Sequence, residues 1–89
     1  MRSSSAIHAL FPKTRTQVLA ATIMDPSREW YLSDLAKHLG VTASSLQREL
    51  ARLVAAGILQ RRRDGNRVYY RADAECPLLS DLQALLAKT

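Results

Sequence analysis

The sequence predicts a small, mainly α-helical domain with one β-hairpin (α+β), in the order helix, short strand, helix, turn, helix, hairpin, helix. Three observations lead to this prediction. Apolar residues recur at helical spacing in several segments separated by Gly, Pro, Asp and Ser. The run Asp64-Gly65-Asn66 separates two β-prone stretches and has the composition of a hairpin turn. The length of 89 residues is enough for a single hydrophobic core.

The chain is predicted to divide into an N-terminal arm over residues 1–11 and a single domain over residues 12–89. The arm begins with a short serine run and is expected to be partly frayed. Pro12 suits the start of the first helix of the domain, because the N–H that proline lacks has no helical partner there. That helix is predicted over residues 13–24 from the spacing of its apolar side chains.

Two helices joined by a tight turn are predicted in the middle of the chain. A β-prone run over residues 30–32 precedes them, and Ser33 is expected to cap the first. Gly40 suits the left-handed position that ends a helix, and Thr42 is expected to cap the second helix, over residues 43–56. The apolar stripe of this second helix comprises Leu46, Leu50, Leu53 and Val54. Together these features predict a helix-turn-helix.

A hairpin over residues 58–71 follows directly, so the helix-turn-helix is predicted to be winged. A last helix is expected to open at Pro77 and to carry a wide leucine stripe. Part of this stripe must pack inside the domain, and the remainder, with apolar residues of the arm, is predicted to form a two-fold dimer surface. The predicted dimer residues are Ile7, Leu10, Phe11, Leu79, Leu82 and Leu86.

Positive charge is concentrated in the second helix and the hairpin. The chain has 13 Lys and Arg residues and 8 Asp and Glu residues, a net charge of +5. Residues 42–71 contain seven arginines and two acidic residues, which is also +5, so the charges elsewhere cancel. Charge gathered on one supersecondary unit indicates a polyanionic partner.

The polar side of helix 43–56 has the residue types that contact DNA. A B-form major groove admits an α-helix, where glutamine can pair with adenine and arginine with guanine. Arginine also binds phosphate oxygens in a bidentate manner. We therefore expect this helix in the major groove and the hairpin on the backbone or in the minor groove of double-stranded DNA. The predicted DNA-binding residues are Thr42, Ser44, Ser45, Gln47, Arg48, Arg52, Arg61, Arg62, Arg63 and Arg67.

Four stretches of the chain carry a resemblance to a known family. They are LAKHLGVT at 35–42, SSLQREL at 44–50, LVAAGIL at 53–59 and GNRVYY at 65–70. In these stretches the chain resembles winged helix-turn-helix transcriptional regulators of the arsenical-repressor (ArsR) type. The resemblance implies DNA binding by a homodimer that reads two half-sites. The opening of the domain is also similar to small members associated with nucleotidyltransferase domains.

Several other functional classes lack their sequence signals. Metal sensors of the ArsR type use paired cysteines or clusters of His and carboxylates, whereas His8, His38 and Cys76 are far apart, so neither a metal nor another cofactor is expected. No phosphate loop, nucleophile elbow or close carboxylate pair indicates an enzyme. No apolar run approaches the ~20 residues of a membrane span, and the single cysteine fits a reducing cytoplasm.

Two alternatives fit the same residues. The winged helix could dock a protein, as an adaptor for an acidic partner. It could also be the DNA-binding partner of a nucleotidyltransferase or toxin–antitoxin system, with a protein partner encoded nearby. A steep fall of DNA affinity with salt separates DNA binding from protein docking, and the neighbouring gene identifies a partner system.

Overall fold

The computed structural model describes residues 2–88, and the side chains of residues 6–88. The elements follow the predicted order, with one additional helix at the N-terminus. They are α1 (Arg2–Leu10), α2 (Lys13–Ile23), β1 (Trp30–Tyr31), α3 (Leu32–Leu39), α4 (Ala43–Ala55), β2 (Leu59–Asp64), β3 (Arg67–Ala72) and α5 (Leu79–Ala87). The prediction of an α+β winged helix-turn-helix is confirmed.

The three strands form one antiparallel sheet in the order β1-β3-β2. Strands β2 and β3 are the predicted hairpin, paired from Leu59 with Ala72 to Asp64 with Arg67. Strand β1 adds two pairs on the other side of β3, Trp30 with Tyr70 and Tyr31 with Tyr69. Helix α4 contacts β2 and helix α2 contacts β3, so both strands of the hairpin are attached to the helical body.

The core lies between α2, α3, α4 and α5 and the inner face of this sheet. The apolar stripe predicted for α4 is confirmed, because Leu46, Leu50 and Leu53 are buried and Val54 is half-buried. Burying a leucine side chain stabilises a fold by roughly 1.5–3 kcal/mol. This face of α4 is thus committed to the interior, which leaves the opposite, polar face of the helix outside.

The turn between α3 and α4 has the predicted geometry. Gly40 adopts a left-handed conformation with φ +68°, and Thr42 Oγ1 accepts a hydrogen bond from the backbone N–H of Ser45 at 3.2 Å. The predicted cap at Ser33 is wrong. A cap at Ser33 would start the helix at Asp34, but α3 begins two residues earlier, at Leu32, directly after Tyr31, which is extended and pairs with β3.

The N-terminal arm is helical, which the sequence analysis did not predict. Helix α1 ends at Leu10, and the N–H of Phe11 still donates to the carbonyl of Ile7 at 2.8 Å. Pro12 follows at once, and the residue before a proline is disfavoured in the helical region. The helix therefore stops where the domain begins, and α2 starts afresh at Lys13.

Two of the residues predicted for the dimer surface are buried within the single chain. Ile7 and Leu86 are only 2% and 7% exposed, so both belong to the interior of the single chain rather than to a surface. Phe11, Leu79 and Leu82 are half-buried. The large apolar side chains that remain outside on the two terminal helices and the residue before α5 are Leu10, Leu78 and Leu85. The helical period explains the difference, since Leu86 faces the core and Leu85 points away from it.

Candidate nucleic-acid interface

The outward face of α4 presents the side chains expected to contact DNA bases. Ser44, Gln47, Arg48 and Ala51 line an open concavity on the helix surface. Their spacing of three and four residues places them side by side on one face of the helix. Gln47 and Arg48 are exposed. The N-terminal end of this face is organised by Thr42, whose hydroxyl lies 3.4 Å from that of Ser44.

The inner face of the wing continues this surface. Side chains alternate along a strand, so Arg61 and Arg63 of β2 share a face with the buried Leu59. Arg61 and Gln47 line the same cleft between the wing and α4. Arg63 donates from Nε to the carbonyl oxygen of Gly65 at 3.3 Å, close to the tip of the hairpin. These two arginines therefore extend the polar face of α4.

The outer face of the wing holds the other predicted arginines, Arg62 and Arg67. Arg62 donates to both carboxylate oxygens of Glu29, from Nε at 2.7 Å and from a terminal nitrogen at 2.9 Å. The same guanidinium lies 4.9 Å from the ring centre of Tyr69, and that of Arg67 lies 5.3 Å from the ring centre of Tyr31. All four wing arginines were predicted to contact DNA, but strand alternation separates Arg62 and Arg67 from the face shared with α4.

The Arg62–Glu29 pair shifts the ionisation of both groups. The hydrogen bonds from Arg62 hold the pKa of the Glu29 carboxyl below its usual range, against partial desolvation, which raises it. The same hydrogen bonds raise the pKa of Arg62. Both side chains are thus charged around neutral pH, and Arg62 is engaged by a carboxylate of its own chain rather than left free for phosphate.

A further groove lies where the start of α2 meets α4. Its lining residues are Pro12, Thr14, Ser45, Arg48, Glu49 and Arg52. At its edge Arg15 donates from Nε to Glu49 Oε1 at 2.8 Å, and both side chains are largely covered. Arg15 was not among the predicted site residues. No local signal indicated this pair, because Glu49 already has a cation on its own helix, Arg52, three residues away.

Within the described part of the chain, no group of three or more His, Cys, Asp or Glu side chains is placed to hold a metal ion. None of the helices over residues 2–88 is long and apolar enough to cross a membrane.

A helical core, a tight turn before α4 and an arginine-rich hairpin after it define the chain as a winged helix-turn-helix domain. A model of the MarR family matches residues 11–67, more than half of the chain. The chain therefore belongs to the MarR family.

Named relatives are transcriptional regulators. The chain is 37% identical over 62 residues to the HTH-type transcriptional regulator KmtR of Mycobacterium tuberculosis, a match that covers 70% of this chain and 45% of that protein. The chain thus spans about half the length of this curated relative.

Solved structures share the fold over almost the whole chain. The AntR antimony-specific transcriptional repressor has a TM-score of 0.68 and 28% identity, covering 89% of this chain and 68% of that one. The homodimeric winged helix-turn-helix DNA-binding domain of Mb0332 from Mycobacterium bovis has a TM-score of 0.63 and 24% identity, covering 98% and 70%.

Proposed function

We propose that this protein is a sequence-specific regulator of transcription that binds double-stranded DNA, with α4 in the major groove and the wing on the adjacent backbone or minor groove. The observation that carries the proposal is the cleft shared by Gln47 of α4 and Arg61 of β2. It aligns the polar face of the helix with a guanidinium of the wing. A helix and a neighbouring cationic ribbon that face the same way can contact one groove and its flanking phosphates together.

The proposal gives different roles to the exposed residues of the interface. Gln47 and Arg48 lie where they can reach base edges, which carry the sequence information in the major groove. The other contacts position the protein on phosphates and carry no sequence information directly. We assign Ser44, Arg52, Arg61 and Arg63 to these phosphate contacts. Thr42 and Ser45 form the capped start of α4, where the N–H of Ser45 donates to the hydroxyl of Thr42. Arg62 and Arg67 are assigned to the outer face of the wing instead.

We also infer that the working unit is a homodimer. Leu10, Leu78 and Leu85 are 68%, 54% and 38% exposed, so large apolar side chains at both ends of the domain are available to a partner subunit. The same fold forms a homodimer in the Mb0332 domain. A two-fold dimer would present two α4 helices to half-sites about one helical turn apart.

The four stretches noted in the sequence further support an ArsR-like regulator. Since neither a cofactor nor a catalytic group was predicted from the sequence, the proposed activity is binding alone. A regulator of this kind works on chromosomal DNA, in agreement with the cytoplasmic location predicted from the single Cys76.

Two neighbouring arginine positions on opposite faces of the wing test the proposal. A preferred duplex is first selected from a random pool, and its affinity is then followed by fluorescence anisotropy from about 50 to about 200 mM salt. Arg61→Ala should lower the slope of log affinity against log salt by about 0.9 for each bound subunit, because one phosphate contact is lost. Arg71→Ala removes the same charge from the outer face, where Arg71 contacts Gln60, and should leave the slope unchanged.

Two results would contradict the proposal. Equal slopes for Arg61→Ala and Arg71→Ala would mean that the inner face of the wing does not contact the duplex. Binding by the unmodified protein no tighter than that of an unrelated basic protein would favour a protein-docking function instead.

A further inference from the structure

The ion pair between Arg15 and Glu49 joins α2 to α4 at the edge of the interface. Arg15 Nε lies 2.8 Å from Glu49 Oε1, and the two side chains are 22% and 16% exposed. The residues are 34 positions apart in the chain, so the contact exists only because the two helices pack together. Because the pair is partly buried, solvent and salt screen its attraction less than they would screen that of a fully exposed pair.

Glu49 occupies a sensitive place on α4. It is the only acidic residue of Ala43–Ala55, it follows Arg48 directly, and Arg52 comes one turn later. Side chains three residues apart on a helix are neighbours, so an unpartnered Glu49 could bind Arg52. Its carboxylate would then occupy a guanidinium that is needed for phosphate, and it would place negative charge beside the DNA backbone.

In the structure the Glu49 carboxylate is instead bound by Arg15 of α2. The ion pairs found within residues 6–88 are Arg15 with Glu49, Arg62 with Glu29 and Arg62 with Asp64. Within that described range neither Arg48 nor Arg52 has a carboxylate partner. Both arginines nevertheless line the same groove as Glu49.

We propose that Arg15 is a positioning residue for DNA binding: by holding Glu49, it keeps Arg52 available to a phosphate of the bound duplex. The inference rests on the proposed function and extends it to a residue of α2. Arg15 acts through Glu49 and Arg52 rather than by touching the DNA. Its role therefore depends on the presence of the Glu49 carboxylate, which makes it testable by a double substitution.

The experiment compares Arg15→Gln, Glu49→Gln and the double variant with the unmodified protein on the selected duplex. Arg15→Gln should lower the salt slope by about 0.9 per subunit and weaken binding about eightfold per subunit at about 0.1 M salt, the contribution of one neutralised phosphate. The double variant has the net charge of the unmodified protein and should recover its affinity and slope. Glu49→Gln alone should bind at least as tightly as the unmodified protein.

Each outcome decides between a positioning role and a different one. An unchanged slope in Arg15→Gln overturns the inference, as does failure of the double variant to recover, which would mean that Arg15 contacts DNA itself or only supports the fold. Thermal unfolding of every variant identifies a folding defect. If Arg15→Gln does not fold, Glu49→Gln still tests the inference. Weaker DNA binding by that variant would overturn it, because the carboxylate itself would then be needed for binding.

Failure of the inference can be told from failure of the proposed function. If the unmodified protein shows neither sequence preference nor salt dependence, the proposed function fails and the inference with it. If the unmodified protein and Arg61→Ala behave as proposed while Arg15→Gln matches the unmodified protein, only the role of Arg15 is wrong.

Discussion

Arg62 and Glu29 form a bidentate pair that spans the outer face of the sheet. Glu29 precedes β1, Arg62 lies on β2, and the ring of Tyr69 on the intervening strand β3 lies beneath the guanidinium. The pair therefore connects the two edges of the three-stranded sheet across its middle strand. We infer that Arg62 holds the wing in position, whereas Arg61, the residue before it, faces the proposed DNA surface.

The charge state of Glu29 makes this contact sensitive to acid. Its pKa in the folded protein is lowered, chiefly by the hydrogen bonds from Arg62. A lowered folded-state pKa contributes stability that is complete above the unfolded-state value and is lost as the pH falls through the folded-state value. The stabilising effect of Glu29 relative to Glu29→Gln should thus be present at neutral pH and vanish in acid, as followed by thermal unfolding.

A carboxyl NMR titration provides the control for this prediction. In the unmodified protein Glu29 should titrate below the usual range for glutamate, and in Arg62→Ala it should return towards that range. The same titration midpoint in both proteins would show that Arg62 does not set the ionisation of Glu29.

At the scale of the elements, the turn between α3 and α4 sets the direction of the proposed DNA-contacting helix. Gly40 has φ +68°, and the N–H groups of Gly40 and Val41 both donate to the carbonyl of Ala36, at 2.9 and 3.2 Å. A Cβ at Gly40 would meet nothing within 4 Å. The requirement for glycine here is therefore conformational rather than steric.

Gly40→Ala should destabilise the fold by about 1–2 kcal/mol, because the left-handed conformation costs an ordinary residue that much. Urea unfolding should then show a lower midpoint concentration, while the slope of the unfolding free energy against urea concentration stays unchanged. Gly40→Asn is the matched control and should lose less, since asparagine visits this conformation more readily. Equal losses in the two variants would indicate a clash rather than a backbone cost.

At the scale of the whole molecule, the leucines of α5 and of the residue before it divide into two groups. Leu86 is 7% exposed and packs in the core, whereas Leu78 is 54% exposed. The two positions thus separate folding from assembly. Leu86→Ala should lower the free energy of unfolding by about 2–5 kcal/mol, as for other buried leucines.

Leu78→Ser should instead reduce the dimer fraction, because it removes an exposed apolar side chain from the proposed interface. Sedimentation measured over a range of protein concentrations, beside thermal unfolding, reports both effects. An unmodified protein that is monomeric at every concentration would contradict the dimer, and a dimer unaffected by Leu78→Ser would place its interface elsewhere.

Much of the fold could be predicted from local signals. Thr42 caps α4 and Gly40 ends α3, as expected, and the hairpin turns within the predicted run, at Gly65-Asn66, because each preference acts within a few residues. Helix α1 was missed because its serine-rich sequence carries little helical signal and packing decides such cases.

The candidate site was predictable in part. The polar face of α4 follows from its leucine stripe, since a helix with one buried side must expose the other. The placement of the wing arginines on two faces could also have been predicted from the sequence. Side chains alternate along a strand, so Arg61 lies on the same side of β2 as Leu59 and Arg62 on the opposite side. It was missed because the four arginines were treated as one charged patch.

The sequence by itself determined the order of the elements from α2 to α5 and that positive charge collects on α4 and the wing. These properties depend on neighbours along the chain. Only the tertiary structure decided which charged side chains remain without an ion-pair partner. Glu29 binds Arg62, 33 residues away in the chain, and Glu49 binds Arg15, 34 residues away. Ion pairs are set by distance in space, and no local pattern reports the approach of two such remote side chains.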